Sequence, residues 1–326
     1  MTGRLLLAGM LLALVPADLQ AAQSADISLE GLVVSGSDSV PRAAIDVELH
    51  RITADSGGAV DETVSGADGS FLLSITRQED SGAVLLGVAR HLGISYFGPA
   101  VHSGADPPSP YVIQVFDTTA VASPQAADLV ARRIVVTPGV DAEGRMSVAE
   151  VLDVRGPQDR ALVRMGPGEP VWETVLPAGA TAFAALPGAV PVEALSRRGD
   201  TLAVAAALTP MGLRIGFRYL VPGGPLRLPT PQAAAEFVVL VDESLGAADI
   251  PGFRRVSQGV AADSPGSSMA RFARADVPSG SPVEIVINPR SAPGRTNAWV
   301  WLGLGALLIA AAAASAVWAR GRPAIT

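Results

Sequence analysis

An all-β protein exported from the cytoplasm and held in a membrane by one C-terminal helix is the fold class this sequence predicts. Three observations predict it. From Asp26 to Ile287 apolar residues recur mostly at period two, the spacing of a strand with one buried face. Gly (34) and Pro (26) are abundant, which favours short strands and frequent turns. Ala298 to Ala319 carries no charge, and Arg320 and Arg322 follow it. With 49% apolar residues, the chain of 326 residues has enough for a real core and more than one folded unit.

The N-terminus reads as a secretory signal peptide over residues 1–24. Arg4 gives the positive start, and Leu5 to Val15 is an apolar run too short to span a bilayer. Pro16 ends the run, and small residues place cleavage after Ala21, Ala22 or Ser24.

The first strands follow at once. Ile27, Leu29, Gly31 and Val33 share one face. Ile45, Val47 and Leu49 share another, with Asp46, Glu48 and His50 turned outward. Between them, Gly36 to Pro41 is turn chemistry. In Gly66-Ala67-Asp68-Gly69-Ser70-Phe71, Asp-Gly suits a tight hairpin, and Phe71 re-enters the core after it. Tyr111 to Phe116 (YVIQVF) is a closing strand.

These segments carry a resemblance. LEGLVVSG from Leu29, a Pro-containing turn, AIDVELHRI from Ala44 and SGADGSFLLSI from Ser65 resemble the carboxypeptidase regulatory-like domain over residues 26–117. The resemblance implies a transthyretin-like (prealbumin) β-sandwich, used in that family as a non-catalytic module for stability or interaction. Many members close with a G-x-Y-x-L strand. This chain has Gly82 to Val88 and then His91 to Phe97 instead. The enzymatic branch of that fold, the hydroxyisourate hydrolases, ends in a Y-R-G-S signature that is absent here, so its activity is not carried over.

Residues 118–128 are small and polar and read as a linker. A second strand pattern occupies 129–287: Leu129 to Val136, Met146 to Val154, Val171 to Leu176, Thr201 to Leu208 and Leu213 to Leu220. Phe237 to Val241, Arg271 to Val277 and Val283 to Ile287 continue it. Short strands with regular turn signals imply another antiparallel sandwich, immunoglobulin-like, as one unit or two. The expected fold is thus tandem antiparallel β-sandwiches, prealbumin-like then immunoglobulin-like, plus the helix.

Residues 288–297 form a short stalk. The helix follows at 298–319; at ~1.5 Å per residue it spans about 33 Å, matching a hydrocarbon core of ~30 Å. Trp299 and Trp301 mark one interface and Trp318 the other. Arg320 and Arg322 place the tail, 320–326, in the cytoplasm.

Composition excludes several chemistries. There is no Cys, hence no disulfide, thiolate metal site or lipidated Cys. All 24 basic residues are Arg, so a Schiff base and a P-loop lysine are excluded. The formal charge is −7, and the region between signal and helix is more acidic still, which argues against nucleic acid and anionic lipid as partners.

Candidate sites give way to simpler readings. His50, His91 and His102 form no ligand pair. Asp141-Ala142-Glu143-Gly144 with Glu150 mimics part of an EF-hand loop, but position 1 would be Gly139 and strands flank it. Arg198-Gly199-Asp200 is an adhesion tripeptide and also an ordinary turn. No G-x-S-x-G and no nucleotide-binding glycine loop occurs. No catalytic, cofactor-binding or metal-binding residue is assigned, and no cofactor.

The expected function is non-catalytic binding or scaffolding at the outer face of the cytoplasmic membrane, as an accessory to another envelope protein. The alternatives are a carbohydrate- or small-ligand-binding sensor, and a hydrolase with a dispersed site. The topology is directly testable: a reporter fused after Thr326 is expected to be active only in the cytoplasm, and activity only outside would remove the anchor's orientation.

Overall fold

The computed structural model describes residues 26–76, 82–102, 105–121, 123, 126–139, 144–186, 190–256 and 268–288. The segments expected to be a signal peptide (1–24), a transmembrane helix (298–319) and a cytoplasmic tail (320–326), and the expected stalk beyond Asn288, lie outside the described residues. No helix among those described is long and apolar enough to cross a membrane. The described chain is all-β, built mainly from antiparallel sheets. It divides into two compact units: residues up to Val34 with Pro41–Arg90 and Ser95–Gln114, and Ser35–Val40 with His91–Ile94 and everything from Val115.

The first unit holds β1 (Asp26–Ser35), β2 (Asp46–Ile52), β3 (Gly57–Val64), β4 (Ser70–Thr76), β5 (Val84–His91), β6 (Ile94–Phe97), β7 (Val101–His102) and β8 (Tyr111–Val115). One sheet runs β4-β1-β8. The other runs β3-β2-β5-β6, with β7 also on β5. Leu29 and Val33 of β1, Leu73 of β4, Ile113 of β8 and Val47 and Leu49 of β2 are all buried, as their alternation requires.

Tyr111 fastens these sheets to each other. Its ring is fully buried, and its hydroxyl accepts from the Gly87 N–H at 2.9 Å and donates to the Pro99 carbonyl at 2.6 Å. Two glycines make room for it: a Cβ at Gly87 or Gly98 would lie 2.8 Å or 2.4 Å from Tyr111 Cε1. Burial pushes the phenol's pKa up despite the Gly87 hydrogen bond, so the hydroxyl keeps the proton it donates.

The Asp68-Gly69 turn differs from the expected hairpin. It carries the chain from β3 in one sheet to β4 in the other. The reason lies in its partners. Ser65 Oγ accepts from Ile45 N–H and donates to the Arg42 carbonyl, which holds the end of β3 on its own sheet. The Gly69 carbonyl accepts from Val33 N–H at 2.8 Å, which delivers the chain to β1 of the other. Gly69 has φ 77, and Asp68 Oδ1 accepts from Ser70 N–H, as an Asp-Gly turn requires.

The second unit begins earlier than expected. Residues 118–128, read as a linker, contain β9 (Thr118–Ala120), and Val121 and Ala127 are buried in the core. Next come β10 (Asp128–Pro138), β11 (Met146–Arg155), β12 (Ala161–Val163), β13 (Trp172–Val175), β14 (Thr181–Ala185), β15 (Leu195–Arg198), β16 (Thr201–Val204) and β17 (Leu213–Val221). The last are β18 (Leu226–Leu228), β19 (Ala234–Asp242), β20 (Ala247–Asp249), β21 (Arg254–Val256), β22 (Met269–Val277) and β23 (Val283–Asn288). Strand β16 is shorter than the expected Thr201–Leu208; Leu208 instead bridges Leu162.

A seven-stranded sheet, β14-β17-β11-β10-β19-β22-β21, is its backbone. Smaller sheets, β13-β16-β15, β18-β23-β20 and β12-β9, contribute to the same core. Two ladders are parallel rather than antiparallel: β10 with β19, and β9 with β12. The first lies mid-sheet and joins the two halves of the 129–287 region into one unit with one contiguous core. Strand β10 fits that place, because Ala131, Ile134, Val135 and Val136 are buried on its two faces.

Replacing Tyr111 by Phe keeps the ring and removes both hydrogen bonds. It is expected to lower the first unit's unfolding free energy by about 1–3 kcal/mol, read by urea denaturation.

Candidate functional site

Within β10, the run Leu129-Val130-Ala131-Arg132-Arg133-Ile134-Val135-Val136 puts two arginines in the middle of an apolar strand. Period two sends them to opposite faces. Arg132 goes inward with Ile134 and Val136, and Arg133 goes outward. Each meets carboxylates on neighbouring strands.

Inside, Arg132 and Glu150 are 2% and 1% exposed. Glu150 lies opposite Ile134 on β11, so Arg132 reaches it on the diagonal. Arg132 Nε donates to Glu150 Oε2 at 2.8 Å, and Arg132 Nη1 donates to the Pro229 carbonyl in the segment leading to β19. The guanidinium carbon stands 5.2 Å from the Phe237 ring centroid on β19. Tyr219 of β17 donates its hydroxyl to Glu150 Oε1. Burial, and then the Glu150 charge, push the Tyr219 pKa well up, so the phenol stays a donor. One guanidinium and one carboxylate thus tie four adjacent strands, β17, β11, β10 and β19.

Outside, Arg214, Asp153, Arg133 and Glu236 alternate in sign across the same four strands. Arg214 Nε donates to Asp153 Oδ1 at 2.7 Å, Arg133 donates to Asp153 Oδ2, and Arg133 Nη2 donates to Glu236 Oε2 at 3.1 Å. Partial burial pushes the Asp153 carboxyl up, but hydrogen bonds and charges from Arg214 and Arg133 outweigh it. Its pKa lies below the usual carboxylate range.

Both clusters turn ionisable groups to cross-strand pairing. Both Glu150 oxygens accept hydrogen bonds, and the surrounding core excludes water. The arrangement fixes strand partners and offers no accessible nucleophile or base. Sequence reasoning did not single out Arg132 or Tyr219. Their signal was a charge and a phenol on the core-facing side of alternating strands.

The residues weighed from the sequence do not come together. His50 Nε2 lies 2.7 Å from Glu48 Oε2 on the outer face of β2, His91 ends β5, and His102 is exposed in β7. Glu150, the last acid of the partial EF-hand spacing, points into the core, and residues 140–143 lie outside the described residues. The Arg198-Gly199-Asp200 tripeptide is the turn between β15 and β16. Gly199 has φ 61, and Arg198 Nη2 donates to the Gly168 carbonyl at 2.7 Å. Among the described residues, no group of three or more His, Asp or Glu could hold a metal ion.

No protein-family model matches the chain, and no curated protein matches it. Among solved structures, it is similar to an M1 zinc metallopeptidase from Deinococcus radiodurans, at 18% identity and a TM-score of 0.33 over 52% of this chain. It is also similar to a putative protease from Parabacteroides distasonis, at 12% identity and a TM-score of 0.28 over 50%. The chain spans 44% of the first protein's length and 40% of the second's. Likeness at this level bears on neither the fold nor the chemistry of this chain.

Asp153 has a pH consequence. A carboxyl whose folded pKa lies below its unfolded value stabilises the fold above the unfolded value, and that contribution is lost as pH falls through the folded one. The Asp153→Asn variant is therefore expected to be less stable at neutral pH and to lose stability less steeply below about pH 4, as followed by urea midpoints across pH.

Proposed function

We propose that the chain is a non-catalytic binding protein, exported and tethered to the outer face of the cytoplasmic membrane, and an accessory to another envelope protein. In this reading the first unit is a carboxypeptidase regulatory-like, prealbumin-like β-sandwich, and the second an enlarged immunoglobulin-like one. The facing sheets around Tyr111 support the first assignment. The antiparallel strands β14-β17-β11-β10 over β13-β16-β15 support the second. The signal peptide and Ala298–Ala319 support the tether.

The observation that carries the reading is the use of charge in the second unit. Its central cluster, Arg132, Glu150 and Tyr219, is sealed in the core and engaged in holding strands. An enzyme needs such groups where a substrate can reach them.

Docking falls on faces and loops more readily than on strand edges. Edge strand β3 has a register shift opposite Leu49 and His50. Edge strand β14 shifts register between Thr181 and Ala184. Asp61 Oδ2 accepts from the Ser74 N–H of edge strand β4 at 2.7 Å. Each device blunts an edge against strand addition.

In-cell crosslinking of the full chain, followed by identification of co-purified proteins, tests this. The expected result is one specific envelope partner, lost when Ala298–Ala319 is deleted. Recovery of nothing specific, or turnover of a peptide, ester or glycan by the purified chain that a single polar substitution abolishes, would overturn it.

A further inference from the structure

We draw no further inference here: the strongest candidate, the outer face of the seven-stranded sheet around Val135, Val151 and Val238, is apolar and only 4%, 7% and 3% exposed at those positions, yet nothing among the described residues shows what covers it.

Discussion

The second unit depends on how Arg132 is satisfied. A guanidinium in an apolar core is costly unless every donor has a partner and the charge is matched. Here the match comes from Glu150 on β11, the Pro229 carbonyl ahead of β19, and the Phe237 ring on β19. The partners come from both sides of the parallel junction, so the arginine is satisfied only if β19 sits beside β10 in this register. An apolar residue at the same place would tolerate slippage. A slip of β19 would take away the Phe237 ring, and a shift of one residue between β10 and β11 would leave the guanidinium and the carboxylate buried apart, at a cost of roughly 3–5 kcal/mol.

That constraint explains an otherwise awkward topology. A parallel pair in a largely antiparallel sheet needs a long return connection and cover on both faces. The chain from β10 to β19 supplies the connection, and it forms five strands (β12, β13, β15, β16 and β18) of the smaller sheets that share the inner core. On the outer face the Arg214-Asp153-Arg133-Glu236 row crosses the same four strands. The partly buried arrangement couples these charges more strongly than separate surface pairs, which contribute ~0–1 kcal/mol each. Charge in this unit specifies pairing.

Most of the strands were legible because they alternate. Leu213 to Leu220 is the clearest case: Ile215, Phe217 and Tyr219 are buried and Arg218 is exposed, as the pattern requires. The short strands β12, β15, β18, β20 and β21 were not legible, since three or four residues cannot establish a period. Residues 118–128 misled because their small, polar composition suits a linker, while among the described residues there Val121 and Ala127 carry the burial. The Asp68-Gly69 turn was right in its dihedral chemistry and wrong in its destination, because Ser65 and Val33, distant in sequence, decide which sheet the chain enters. The Arg132 cluster shows the same limit. Each residue is visible on a strand, but their meeting is a product of strand order.

The central claim is that 129–287 is a single cooperative unit locked through the β10–β19 pair. Native-state hydrogen exchange of the full chain, read peptide by peptide, tests it most directly. The account predicts that amides of β11, β17, β19 and β22 open with the same free energy, in one event. Loss of protection in β19 and β22 at a free energy well below that of β11 and β17 would show two separable halves and contradict it.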